Sequence, residues 1–121
     1  MTITNIEPQE LKSMLENQPG LQLVDVRTPE EYLYLGHIPE ARLMPLHELP
    51  YQFRNLDPAA PVVVTCQHGV RSVDACYFLQ AQGFQNLYNL MEGMSSWGYP
   101  VERDVSLLEN MIHPQPKGET T

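Results

Sequence analysis

The stretch VVVTCQHGVRS, Val62 to Ser72, decides how the rest of the chain is read. Val62 to Thr65 is apolar and β-branched without interruption up to the threonine, the pattern of a strand buried on both faces. Cys66 comes directly after it, then a short polar loop. Ser72 to Gln82 has helical character, with Gly83 as the residue just past its end. Strands buried on both faces belong to parallel sheets, and such sheets bind ligands at the carboxyl ends of their strands. Cys66 stands at that end.

The flanking sequence alternates in the same way. Ile3 to Ile6 is a short β-prone piece, and Pro8 suits the first position of a helix whose apolar stripe is Leu11, Met14 and Leu15. Pro19-Gly20 ends it, and Leu21 to Val26 is a second strand. Thr28 to Glu31, TPEE, is a capping box that starts a short helix, stopped by Gly36 to Pro39. Ala41 to Pro45 reads as a short strand. Leu46 to Leu56 reads as a weak helical segment interrupted by Pro50. Asn86 to Leu90 reads as another strand, and Met94 to Trp97 starts a last short helix. Strands separated by helices predict a parallel sheet covered on both sides.

A chain of 121 residues is one domain by length and buries a core without disulfides. Residues 1–112 are expected to form that domain. The polar, proline-containing stretch HPQPKGETT, residues 113–121, is expected to be a flexible tail. Fifteen acidic against seven basic residues give a net charge of −8, which repels nucleic acid phosphate and anionic lipid. An anionic substrate therefore needs a local positive field. The amino terminus lacks a secretory signal and no run approaches the ~18 apolar residues of a membrane span, so a cytoplasmic protein is expected. Cys66 and Cys76 form no disulfide framework, and no Cys/His spacing suggests zinc; neither a metal nor another cofactor is expected.

CQHGVR has a definite chemical capacity. A thiol is a poor nucleophile while protonated. A short loop leading into a helix turns several backbone N–H groups inward and forms an anion-binding nest, reinforced by the helix dipole. That arrangement favours a thiolate and any anion joined to it. Gly69 gives the loop backbone freedom, Arg71 and His68 add donors, and Ser72 either caps the helix or donates into the loop. Reading Cys66 as an inert buried thiol leaves the order strand, Cys, Gly, Arg, helix unexplained. Cys76 lies among apolar residues within the helix and is assigned to core packing.

Three blocks in order resemble the single-domain rhodanese-like sulfurtransferase family: DVRTPEEYLYLGHIPEA (Asp25 to Ala41), VVVTCQHGVRS, and GFQNLYNLMEGMSSW (Gly83 to Trp97). The resemblance implies an α/β fold with a central, mostly parallel sheet of about five strands and helices on both faces. It implies that Cys66 takes sulfane sulfur from a small anionic donor such as thiosulfate as a persulfide and passes it to cyanide, a thiol or a protein acceptor. The loop Gln67, His68, Gly69, Val70, Arg71 and Ser72 would bind the persulfide and the donor's anionic end. Asp25 and Arg27 would stand behind the loop, and His37 would serve a structural turn. The chain departs from the family pattern at Leu35, an extra residue, at Glu40 in place of Gly, and at Glu92-Gly93-Met94 in place of a Gly-Gly pair.

Two other readings belong to different classes. One is a sulfur-relay or protein-binding module with little turnover. The other is a phosphatase or arsenate-handling enzyme of the same fold. Against the latter, four residues separate Cys66 from Arg71, where phosphatases resembling this fold carry five. Oligomeric state is left open.

Overall fold

The computed structural model describes residues 3–104 and 106. Its elements run β1 (Ile3–Ile6), α1 (Pro8–Asn17), β2 (Gln22–Asp25), a π-helical turn (Glu31–Leu35), β3 (Arg42–Leu43), α2 (Leu49–Gln52) with a 3-10 turn (Phe53–Asn55), β4 (Val62–Thr65), α3 (Arg71–Ala81), β5 (Leu87–Leu90) and a 3-10 turn (Gly93–Ser96). The five strands form one all-parallel sheet in the order β1-β5-β4-β2-β3. The expected α/β architecture is therefore the observed one. The expected tail, residues 113–121, lies outside the described residues.

Strand β4 occupies the centre, and all four of its residues are buried. Its side chains alternate between two cores, as the pleat requires. Val62 and Val64 join Ala75, Cys76 and Leu79 of α3, with Leu49 of α2. Val63 faces the other way, onto Leu11 of α1, Leu23, Ile38 and Leu90. Each fully buried aliphatic side chain of this kind stabilises by about 1.5–3 kcal/mol relative to exposure. Helices thus cover both faces, and the central strand ends at a rigid, doubly supported point.

Local sequence explains most element ends. Pro8 opens α1, and Gly83 comes after α3 with φ +97°, a left-handed conformation open to glycine without strain. Pro50 corrects one expectation. It does not interrupt a helix spanning Leu46 to Leu56; it sits in the first turn of α2, where its missing N–H has no partner to lose. The expected strand Ala41 to Pro45 pairs with β2 only through Arg42 and Leu43.

The capping box forms as expected. Glu31 Oε1 accepts from Thr28 N at 3.0 Å, and Glu31 N donates to Thr28 Oγ1 at 3.2 Å. The residues it caps form a π-helical turn instead of an α-helix, ending at Gly36 (φ +93°). A π turn takes in one more residue per turn than an α turn, and this turn holds Leu35, the residue that the resemblance counts as extra. His37 is buried and stacks on Tyr32 with ring centroids 3.6 Å apart, and its backbone pairs with Glu102. It serves the turn, as expected.

Candidate active site

The loop after β4 wraps around a single sulfur atom. Cys66 is buried, and its Sγ accepts hydrogen bonds from Gly69 N at 3.1 Å and Ser72 N at 3.3 Å. The Ser72 hydroxyl lies 3.2 Å from the same sulfur. Gly69 adopts φ +86°, and a Cβ there would meet Glu92 N at 2.9 Å. Both conditions call for glycine at this corner. Ser72 occupies the second residue of α3, so its N–H is one that the helix leaves without an internal partner. The helix supplies the donor and its dipole together.

Two loop carbonyls are held from outside. Met94 N donates to Cys66 O at 2.7 Å, and Ser95 N donates to Gln67 O at 3.0 Å. The turn Gly93–Ser96 packs so closely that a Cβ on Gly93 would fall 2.2 Å from Cys66 O. With their carbonyls engaged there, the peptide planes are fixed while the N–H groups of Gly69 and Ser72 face the sulfur.

Asp25 and Arg27 brace the loop from behind. Both are buried and paired through Arg27 Nη2 and Asp25 Oδ2 at 2.8 Å, with Arg27 Nε shared between the two carboxylate oxygens. The same guanidinium donates to Gly36 O at 2.8 Å and to Gln67 Oε1 at 3.0 Å. A buried charge pair needs this number of hydrogen bonds to offset its desolvation. The Gln67 side chain is thereby turned toward Arg27.

The six loop residues differ in what they offer. Gly69 and Ser72 contact the sulfur. His68 and Val70 are exposed. The Arg71 guanidinium is gripped by Glu31 through two hydrogen bonds of 2.7 and 2.8 Å. This pairing raises the Arg71 pKa further above its ordinary value, with the Cys66 sulfur adding to the effect. Beside Arg71 opens a cleft of about 370 Å³, walled by Val26, Thr28, Pro45, Leu46 and His47.

Four contributors are not legible as site residues in the sequence. Glu31 stands out there only as a helix start. Met94 and Ser95 act through main-chain atoms, which side-chain identity does not advertise. Asn89 is the buried polar residue of an otherwise apolar β5 register and accepts a short hydrogen bond from the Ser72 hydroxyl. A polar residue at a core-facing strand position is the signal that could have found it. Cys76 is buried, close to Tyr88 O at 3.7 Å, and burial pushes its thiol up to about 12. It stays protonated and inert, in keeping with core packing.

Comparison with known proteins bears on the family and the fold. The model of the rhodanese-like domain matches residues 7–99. A sulfurtransferase of Allochromatium vinosum is 33% identical over 102 residues, covering 82% of this chain and 94% of its own length. The thiosulfate sulfurtransferase GlpE of Pseudomonas paraeruginosa is 36% identical, covering 84% and 91%. The crystal structure of a rhodanese-like domain protein from Staphylococcus aureus superposes with a TM-score of 0.77 at 33% identity, covering 84% of this chain and 99% of that one.

Proposed function

The chain belongs to the rhodanese-like family, and on that premise we propose that it is a sulfurtransferase whose working nucleophile is Cys66. The observation that carries this reading is the pair of main-chain N–H groups, from Gly69 and Ser72, aimed at a single sulfur at the mouth of α3. Donors placed there stabilise negative charge on the thiolate and, one atom further out, on a persulfide.

The cycle has two displacements. The Cys66 thiolate attacks the sulfane sulfur of a donor such as thiosulfate. A new S–S bond forms, the donor's S–S bond breaks, and sulfite leaves with the bonding pair. Cyanide, a thiol or a protein thiolate then attacks the outer sulfur, and the Cys66 thiolate departs as leaving group. Over the full cycle the enzyme undergoes no net oxidation. Arg71, half-exposed at the wall of the adjoining cleft, is a cation available to the donor's anionic end. The free thiols of Cys66 and Cys76 suit a reducing compartment, and a cytoplasmic location fits this chemistry.

Incubation with thiosulfate, followed by mass spectrometry of the intact chain, tests the reading. Wild type should gain one sulfur, about 32 Da, by forming a persulfide. The Cys66→Ala variant should gain nothing. Equal labelling of both proteins would remove Cys66 from the role.

A further inference from the structure

A chain of hydrogen bonds leads from the Cys66 sulfur through the sheet to the surface. Sγ lies 3.2 Å from Ser72 Oγ. The Ser72 hydroxyl donates to Asn89 Oδ1, and Asn89 Nδ2 donates to Asn5 Oδ1 at 3.0 Å. Asn89 and Asn5 are register partners on β5 and β1. Ser72 and Asn89 are buried, whereas Asn5 is exposed.

The direction of this chain is set by proton counting. Ser72 has one hydroxyl proton. In the observed direction, a neutral thiol gives its S–H to Ser72 Oγ, which gives its own proton to the Asn89 carbonyl oxygen. When the thiol proton departs to solvent, nothing donates to Ser72 Oγ, and its proton is best used on the charged sulfur. That rotation alone would leave Asn89 Oδ1 facing another oxygen in a buried site, an unsatisfied acceptor. A half-turn of the Asn89 amide removes the conflict. Nδ2 then donates to Ser72 Oγ, Ser72 donates to the sulfur, and Oδ1 faces Asn5. The exposed Asn5 amide can turn and donate in its place. Both directions satisfy every group, because an amide carries a donor and an acceptor in interchangeable positions.

We propose that Asn89 is a positioning residue for the reaction. Its amide turns the Ser72 hydroxyl toward the sulfur when the sulfur is charged, giving the thiolate a third hydrogen bond, and Asn5 is the outer end that lets the chain reverse. The proposal deepens the reading of Cys66 as nucleophile and rests on it.

The test compares acceptor-only side chains with truncations. Asn89→Asp holds the Ser72 proton away from the sulfur. Alkylation of Cys66 by iodoacetamide and persulfide formation from thiosulfate should both slow about tenfold, the scale of one charge-assisted hydrogen bond. Asn89→Ala frees the hydroxyl and should slow them less than about threefold, the loss of one neutral partner. In a Ser72→Ala background, the Asn89→Asp effect should shrink to what the added carboxylate exerts on the sulfur through space, well below its effect with Ser72 present. Asn5→Asp, on the exposed outer strand, pins Asn89 from far away. It should slow both reactions by about threefold with Ser72 present and leave them unchanged without it. This variant carries the test if substitutions at the buried Asn89 unfold the chain. Equal losses in Asn89→Asp and Asn89→Ala, an undiminished Asp effect without Ser72, or an Asn5→Asp variant as fast as wild type would overturn the proposal. Alkylation needs no sulfur donor, so its rates test the chain of bonds even where thiosulfate fails to label Cys66.

Discussion

Glu31 and Arg71, forty residues apart, meet in a two-pronged pair with Oε1 to Nη1 at 2.7 Å and Oε2 to Nη2 at 2.8 Å. The carboxylate that starts the π-helical turn is also the one that holds the loop's cation. An anionic donor must therefore compete with Glu31 for Arg71. Glu31→Gln should lower the KM for thiosulfate several-fold with little change in kcat. Arg71→Ala should raise that KM by about tenfold or more, the scale of a hydrogen bond to a charged group. Steady-state kinetics on the two variants checks both directions.

The same pair has an acid signature. The hydrogen bonds from Arg71, helped by those from Thr28, hold Glu31 down at about 2 against an ordinary 4.5. A depressed carboxyl stabilises the fold above its unfolded value, and that contribution drains away as pH falls from 4.5 toward 2. Denaturant unfolding of wild type and Glu31→Gln across this interval should show the wild-type advantage shrinking only there.

Cys76 predicts the opposite trend at high pH. Its thiol ionises at about 12 in the fold against 9.0 ordinarily. The stability contribution is whole below 9 and is lost as pH climbs toward 12, at up to about 1.4 kcal/mol per pH unit. Cys76→Ala should have a flatter alkaline stability profile than wild type in urea unfolding. In the native protein at mildly alkaline pH, iodoacetamide should label Cys66 and spare Cys76.

Asp25 neutralises a buried guanidinium. Asp25→Asn leaves the Arg27 charge buried and uncompensated, which should cost about 3–5 kcal/mol. The denaturant midpoint should fall with the slope unchanged.

Glu92 and Gly93 sit side by side in left-handed backbone, at φ +61° and +59°. Glu92 bears the strain of a side chain there, so Glu92→Gly should stabilise by about 0.5–1 kcal/mol after glycine's own entropy cost. Gly93→Ala should do the reverse, losing about 2 kcal/mol or more, because its new methyl meets the Cys66 carbonyl. Thermal unfolding separates the two signs.

How much of the fold and site is legible in the sequence depends on the range of the physics involved. Val62 to Thr65 is legible to the residue, because an uninterrupted β-branched run has few alternatives. The helix after it begins one residue earlier than Ser72, at Arg71, an ordinary displacement of a boundary. Pro50 misleads because a proline marks a helix start as readily as a helix break, and only tertiary packing decides which. The capping box at Thr28 to Glu31 is visible, but the π turn it opens is not, since that depends on where Gly36 and His37 are tied down. Cys66 and its loop are legible through the local order of residue types. The Glu31–Arg71 pair and the path from Ser72 to Asn5 are not, since they join residues distant in the chain.

The grip of residues 93–96 on the Cys66 and Gln67 carbonyls makes that turn a latch. Lifting it, by a bound partner or a proteolytic nick, would release the first two peptide planes of the loop, which lead into the Gly69 corner, and loosen the frame that aims the Gly69 N–H at the sulfur. The sulfur would then lose definition in its surroundings while the cysteine itself stayed chemically intact.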